Sequence, residues 1–242
     1  MDRLIYDRIR ELETDHWWFV GRRTILRRLL GRIGAPTGAK ILEVGCGAGG
    51  NVPLLREFGA VAALEPDDES RAYASERLNL AIDTGLLPDG LPYAPESFDL
   101  VCAFDVVEHV DDDAASVKAL AGLIKPGGAM LTTVPAYQWM WSHHDVLHHH
   151  KRRYLLPQYR ALFDQAGLTV ETATYFNTLL FPLAAAQRTV KKLVGDNSAD
   201  DTMPPGWLNK ALAKVFSLEA PLAAGGGLPF GLSIAVIARK AG

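Results

Sequence analysis

Residues Ile41-Leu42-Glu43-Val44-Gly45-Cys46-Gly47-Ala48-Gly49-Gly50 constrain this chain more than any other stretch. An apolar run broken only by Glu43 ends in a burst of glycines, and Asn51 to Phe58 then reads as a helix closing on Gly59. Strand, glycine turn and helix bring a nucleotide-like ligand against bare backbone at the end of a parallel sheet. Glycine suits the turn because it tolerates positive φ and puts no Cβ in the ligand's way. Glu43 narrows the choice. A pyrophosphate wants amides and a helix N-terminus, with no carboxylate nearby. A Glu two residues ahead of the first glycine suits a ligand that carries positive charge. A tight turn without a ligand and a dinucleotide site are the competing readings.

The series Glu43, Gly45, Gly47, Gly49 resembles the acidic-x-Gly-x-Gly-x-Gly first motif of the class I S-adenosylmethionine-dependent methyltransferases. The similarity is to the small-molecule, ubiquinone-biosynthesis-like members. It implies S-adenosylmethionine as cofactor, with Glu43, Gly45, Cys46, Gly47 and Gly49 around it. Val61 to Leu64 forms the next strand and ends at Glu65-Pro66, about twenty residues beyond Gly45, where an acidic side chain accepts from both ribose hydroxyls. Dinucleotide enzymes share that acid, so Glu65 supports nucleoside binding without choosing the cofactor. In the family the turn spanning Gly85 to Pro92 covers the adenine, which places Leu86 there. The run Phe104-Asp105-Val106-Val107-Glu108-His109-Val110 after the strand Ser97 to Phe104 also resembles the family. It makes Phe104 a cofactor contact and Asp105 a weaker candidate; His109, heading a helix, reads mainly as a structural hydrogen-bonder. Arg22 or Arg23, in an N-terminal segment that folds over the cofactor in related enzymes, is placed to pair with its carboxylate. The Lys125-Pro126-Gly127-Gly128 turn before the strand Ala129 to Val134 is a further shared feature.

The resemblance implies an α/β fold, a doubly wound Rossmann-like sheet of seven strands in the order 3-2-1-4-5-7-6 with the last strand antiparallel. We expect an N-terminal helical cap over 1–36 and a methyltransferase domain over 37–242, with a helical insertion at about 177–227. The 242 residues suit one sizeable α/β domain with an additional segment. A formal net charge of -3 lacks the basic surplus a nucleic-acid partner calls for. The two cysteines, Cys46 and Cys102, fall in predicted core positions and make no disulfide framework, which fits a reducing cytoplasm. Met1 to Glu13 lacks the apolar core of a signal peptide, and no apolar run approaches the ~20 residues that cross a bilayer.

Tyr137 to Tyr154 stands apart from this pattern. It holds five of the seven histidines, several aromatics and the basic triplet Lys151-Arg152-Arg153 directly after the fifth strand. In an open parallel sheet the crevice lies beyond the C-terminal strand ends, so this segment should border it. We read it as a substrate lid: aromatics shape the pocket, the basic triplet attracts an anionic substrate, and His143, His144 or His148 removes a proton. A metal site from His143, His144, Asp145 and His148 has no established spacing, and Asp111-Asp112-Asp113 reads as a helix start favoured by the macrodipole. No metal is expected. Leu156 to Ala166 reads as a helix and Leu168 to Tyr175 as a strand. Leu179, Leu180, Leu183, Ala184, Val190 and Leu193, with Arg188, Lys191 and Lys192, form an amphipathic helix with a basic face, which gives peripheral membrane contact some support. Gly195 to Pro205 reads as linker, Trp207 to Leu218 as helix and Phe230 to Arg239 as the last strand.

The implied reaction is methyl transfer to a small-molecule acceptor, with anionic and lipid-linked acceptors included and O-methylation favoured. Phe104-Asp105-Val106-Val107 stands where the DNA-type amino methyltransferases carry Asn/Asp-Pro-Pro-Tyr/Phe, which argues against that group. A nicotinamide-dependent oxidoreductase and a non-catalytic S-adenosylmethionine-binding module are the alternatives.

Overall fold

A computed structural model describes residues 3–195 and 202–242. Its centre is a seven-stranded sheet in the order β3-β2-β1-β4-β5-β7-β6. The strands are β1 (Ala39–Val44), β2 (Gly59–Leu64), β3 (Ile82–Asp83), β4 (Phe98–Phe104), β5 (Ile124–Pro135), β6 (Leu168–Phe176) and β7 (Ser233–Lys240). β7 runs antiparallel between β5 and β6, and the other pairings are parallel. This is the arrangement expected from the sequence.

Successive side chains of a strand face opposite sides of the sheet, and here both sides are apolar. Leu42, Val44, Val101, Ala103, Met130, Val134, Ile234 and Val236 lie in one core, with Val117 and Leu120 of α5 (Asp113–Gly122) and Tyr159 and Phe163 of α7 (Leu156–Gln165). Ile41, Leu100, Cys102, Leu131, Ala235 and Ile237 lie in the other. There they meet α2 (Trp17–Ile33), α9 (Gly206–Ser217) and α10 (Ala220–Gly225). A sheet buried on both faces requires a helical layer on each. Ile25, Leu26, Leu29, Leu30 and Ile33 of α2 supply much of one layer. Residues of α1 (Arg3–Leu12) and the start of α2, Trp17 to Arg23, line the cavity at the strand ends. Phe216 of α9 is fully buried between Trp17 and Phe176, at ring centroid distances of 5.9 and 6.3 Å. Its ring occupies the space a Cβ at Gly21 would need.

Three local expectations change. The helix after the glycine turn, α3, spans only Val52–Leu55, because Gly59 already pairs with Ala39 at the start of β2 and the chain must be extended there. Lys125 to Gly128 is no separate turn but an irregularity inside β5, since Phe98 pairs with Ile124 and Leu100 with Ala129. The last strand begins at Ser233, after the unforeseen α10. The linker expected over 195–205 lies partly outside the described residues. α4 (Asp68–Leu78) is capped by the Asp67 side chain on the Ser70 N–H at 2.8 Å. α8 (Phe181–Val194) has no buried residue and exposes Leu183, Val190, Leu193 and Val194. Among the described residues no helix is long and apolar enough to cross a membrane.

Phe216→Ala should cost about 3–5 kcal/mol, because it opens a ring-sized cavity where α9 meets α2. Urea unfolding should show it as a lower midpoint with an unchanged slope.

Candidate functional site

Four parallel strands leave the sheet through residues with positive φ: Gly45 after β1, Asp105 after β4, Tyr137 after β5 and Asn177 after β6, with φ of 68°, 56°, 60° and 61°. Each turn throws the following chain away from its strand and opens a crevice at the strands' C-terminal ends. A cavity of 580 Å³ lies there, roofed by residues of α1 and α2. Small-molecule sites commonly occupy about 300–1,000 Å³.

One end is built by the glycine turn. Gly47 has a φ of 57° and open space where a Cβ would stand. A Cβ at Gly45 would overlap Val106, so glycine is required there by packing as well as by φ. Glu65 is buried and accepts from the Gly47 N–H at 2.8 Å and the Asp67 N–H at 2.9 Å. Burial raises its pKa, and these bonds work against the rise. Glu43 sits behind the turn at 1% exposure; its Oε1 accepts from Asn51 Nδ2 at 3.1 Å. Its Oε2 is buried without a hydrogen-bond partner. Burial pushes Glu43 up to about 7, against the lowering effects of the Asn51 bond and the Arg22 charge. The buried Arg22 bridges this end to the next strand. It pairs with Asp105 at 2.7 Å, donates to Thr133 Oγ1 at 3.1 Å and lies over the Trp18 and Phe104 rings. Its Nε has no partner.

The other end is imidazole-rich. Tyr137 to Tyr154, read as a patternless lid, instead contains a 3-10 turn at Gln138–Met140 and a short helix, α6 (His143–Leu147). The Ser142 N–H starts that helix by donating to Asp145 at 2.8 Å. His144 and His148 lie four residues apart and so share one side, with rings stacked at 3.9 Å. Asp145, fully buried, holds His150 Nδ1 at 2.8 Å and Arg153 Nε at 2.7 Å. Despite burial, its hydrogen bond to His150 and the Arg153 charge hold it well below the usual carboxylate range. Burial lowers His150 against the pull of Asp145, and lowers His109 to about 3 with help from the neighbouring imidazoles. Glu108 is fully buried, raised mainly by desolvation, and neither of its carboxylate oxygens meets a side-chain donor. Asn177, also fully buried on the cavity wall, leaves both amide atoms unpartnered.

Gly45, Cys46, Gly47, Glu65, Pro66, Leu86, Phe104 and Arg22 of the expected cofactor residues line this one cavity, as do His144 and His148. Glu43 and Gly49 do not. Glu43 stands one layer behind, and Gly49 turns away to pack near Leu78 and Ala74. His143 is exposed and off the cavity, because adjacent helical residues point about 100° apart and His144 takes the inward position. Arg22 already gives Nη2 to Asp105 and Thr133, so Nε and Nη1 are the donors it has left for a carboxylate. Sequence reasoning missed Glu108, His150 and Asn177 as cavity residues, and Arg153, expected to attract an anionic substrate, is instead paired with Asp145. The Glu-His-Val run and the histidine count pointed at the first two; nothing marked Asn177. The site fits an S-adenosylmethionine-like ligand: an open glycine cradle, a guanidinium with spare donors and, one layer behind the cradle, a buried carboxylate with a spare oxygen.

A family model described as a methyltransferase domain matches residues 18–180. With the seven-stranded sheet and its glycine turn, this makes the chain a member of the class I S-adenosylmethionine-dependent methyltransferases. It is 31% identical over 126 residues to a Mycolicibacterium smegmatis protein named a probable S-adenosylmethionine-dependent methyltransferase, covering 51% of this chain and 48% of that protein. It is 34% identical over 106 residues to a ubiquinone biosynthesis O-methyltransferase of Bradyrhizobium diazoefficiens, covering 42% of each. The matched stretches thus span about half the length of these relatives or less. Among solved structures, phosphoethanolamine N-methyltransferase 2 of Haemonchus contortus, in complex with S-adenosyl-L-methionine, has a similar fold. Its TM-score is 0.59 at 17% identity, over 88% of this chain and 51% of that one. The chain bound to the Trm112 methyltransferase activator of Haloferax volcanii gives a TM-score of 0.66 at 19% identity, over 99% and 95%.

Glu43 carries a pH-dependent stability of known sign. Its folded pKa of about 7 exceeds the ordinary 4.5, so the folded state holds the proton more tightly. The stability this confers is full below about pH 4.5 and is lost as pH rises through 7. Glu43→Gln, which keeps the acceptor oxygen for Asn51, should flatten thermal stability between pH 5 and 8 relative to wild type. Parallel melting profiles of the two proteins would contradict this.

Proposed function

We propose that the chain transfers the methyl group of S-adenosylmethionine to a hydroxyl oxygen of a small-molecule acceptor. The observation that carries the reading is one cavity with a glycine-and-carboxylate cradle at one end and stacked imidazoles at the other. S-adenosylmethionine, when bound, supplies a methyl group already activated on a sulfonium. Gly45 to Gly47 give it bare backbone, Glu65 faces its ribose and Glu43 offers negative charge behind it. The protein's remaining work is orientation and exclusion of water. Trp18, Phe19, Ile5 and Ile9 of α1 and α2 roof the cavity, and Asn177 offers an amide donor and acceptor for a polar group of the acceptor.

A hydroxyl must lose its proton as it attacks, and a positioned His contributes to such a step. We assign that role to His148, held against His144. The ubiquinone O-methyltransferase relatives support oxygen as the attacked atom. An acceptor carried at a lipid surface fits the exposed apolar residues of α8 beside Lys191 and Lys192, since such a helix can rest on headgroups.

Calorimetric titration should show S-adenosylmethionine binding and no NADH binding; the reverse would end this reading in favour of an oxidoreductase. Gly47→Val should abolish donor binding by strain at positive φ and by filling the cradle, with circular dichroism unchanged, and retained affinity would refute the placement. Labelled methyl donor incubated with small-molecule extracts should label an acceptor through oxygen. With that acceptor, His148→Ala should lower kcat by about 10²–10⁴-fold at unchanged donor affinity. Unaltered turnover would remove the base assignment.

A further inference from the structure

We infer that Glu108, His109 and His150 form a binding site for a divalent first-row transition-metal ion at the acceptor end of the cavity. Their ligand atoms all lie within 4.8 Å of one another, and no other such group of His, Cys, Asp and Glu occurs among the described residues. His150 Nε2 stands 4.0 Å from Glu108 Oε1, too long for a hydrogen bond. Two ligand atoms about 2.1 Å from a tetrahedral ion stand about 3.4 Å apart. The set therefore closes on an ion with side-chain shifts of about an ångström.

Orientation supports the site independently of spacing. The Nδ1 of His150 is engaged by the buried Asp145 carboxylate at 2.8 Å, which must accept, so Nδ1 carries the hydrogen and Nε2 presents a lone pair toward Glu108. A carboxylate behind a histidine that fixes its tautomer is the usual support of a metal ligand. Asp145 is itself fixed by Arg153 and the Ser142 N–H. His109 is held by a hydrogen bond to the backbone of His148, which leaves one ring nitrogen for coordination. Its ring meets that of His150 edge-on at 4.7 Å. Glu108 gives the second independent sign. Its carboxylate is fully buried and neither oxygen meets a side-chain donor, and a buried polar group in that state is costly unless a partner is supplied.

Two imidazoles and one carboxylate suit zinc, manganese, iron or cobalt better than magnesium, which prefers oxygen ligands. All three residues line the cavity, so an ion held there keeps open positions toward the acceptor, as catalytic sites do. A hydroxyl of the acceptor taking such a position becomes more acidic, and its proton passes to His148. The ligands are not the set weighed from the sequence. His143 is exposed, and Asp145 is committed to His150 and Arg153. The role of the ion rests on the methyl-transfer reading; its binding does not.

The test uses untagged full-length chain, stripped with chelator and titrated calorimetrically with Zn²⁺, Mn²⁺ and Mg²⁺ in separate runs, without methyl donor or acceptor. One equivalent of Zn²⁺ or Mn²⁺ should bind, with Mg²⁺ at least tenfold weaker. Glu108→Gln and His109→Asn should each weaken binding at least tenfold, two variants that keep the test open if one misfolds. Asp145→Asn, which touches no ion, should weaken it about 10–100-fold. Absence of stoichiometric Zn²⁺ and Mn²⁺ binding would overturn the site, as would binding left within twofold by both ligand variants. Loss of the site with S-adenosylmethionine still bound leaves the methyl-transfer reading standing, and the opposite pair of results removes that reading alone.

Discussion

The reversal of the backbone at the C-terminal strand ends is the constraint on which the rest depends. A strand that ran on past the sheet would fill the crevice with its own next residues. Gly45, Asp105, Tyr137 and Asn177 avoid this by taking positive φ, a conformation that disfavours side chains and is tolerated best by Gly, Asn and Asp. Three of the four residues belong to those types. Tyr137 is the exception, and its ring is compensated by packing, stacked on Tyr175 at 5.2 Å and edge-on to Phe181 at 5.7 Å. Backbone strain thus sits where ligands are handled, and tertiary contacts hold it there.

The strand positions were legible because they are written in two short-range signals, whereas the strand order was what the family resemblance implied. Apolar runs in the buried strands and breakers between elements give strand positions, and the glycine turn gives the end at which the site lies. The half of the site made by the turn was equally legible, since Gly45, Cys46, Gly47, Glu65 and Pro66 are local to two strand ends. The other half depends on distant pairings that spacing does not encode. Nothing in the sequence says that Arg22 meets Asp105, or that Asp145 takes His150 and Arg153. Nor does periodicity show that His144 rather than His143 turns inward, because that depends on where the Ser142 N–H starts a five-residue helix. α2 divides its residues in the same way: Ile25 to Ile33 build one core layer, and of its arginines Arg22 and Arg23 line the cavity.

The acids around the cavity divide into those with a cationic partner and those without. Asp105 has Arg22, Asp145 has Arg153 and Glu13 has Arg77 at 2.7 Å. Glu65 is answered by two backbone N–H groups. Two remain: Glu43 behind the glycine turn and Glu108 beneath the imidazoles, each fully or almost fully buried, each with an oxygen lacking a side-chain donor. Burial of a carboxylate is tolerated when it is protonated or met by positive charge, and both have raised pKa values here.

A protonated carboxyl alone would be a poor reason to place two acids where an apolar residue packs as well, so their positions matter more than their number. Glu43 stands at the donor end, where a sulfonium and an ammonium bring positive charge. Glu108 stands at the acceptor end, where no arginine or lysine forms an ion pair with it, although the charges of Arg22 and Arg153 act on it, and where His109 and His150 offer ring nitrogens. Each unmatched acid therefore marks the place of a positive charge the polypeptide does not itself supply. On this account the two ends of the cavity solve one electrostatic problem twice, with the cationic cofactor at one and a metal ion at the other. Arg22 and Asp105 lie between them as a neutral pair, so a charge arriving at one end is not cancelled before it acts.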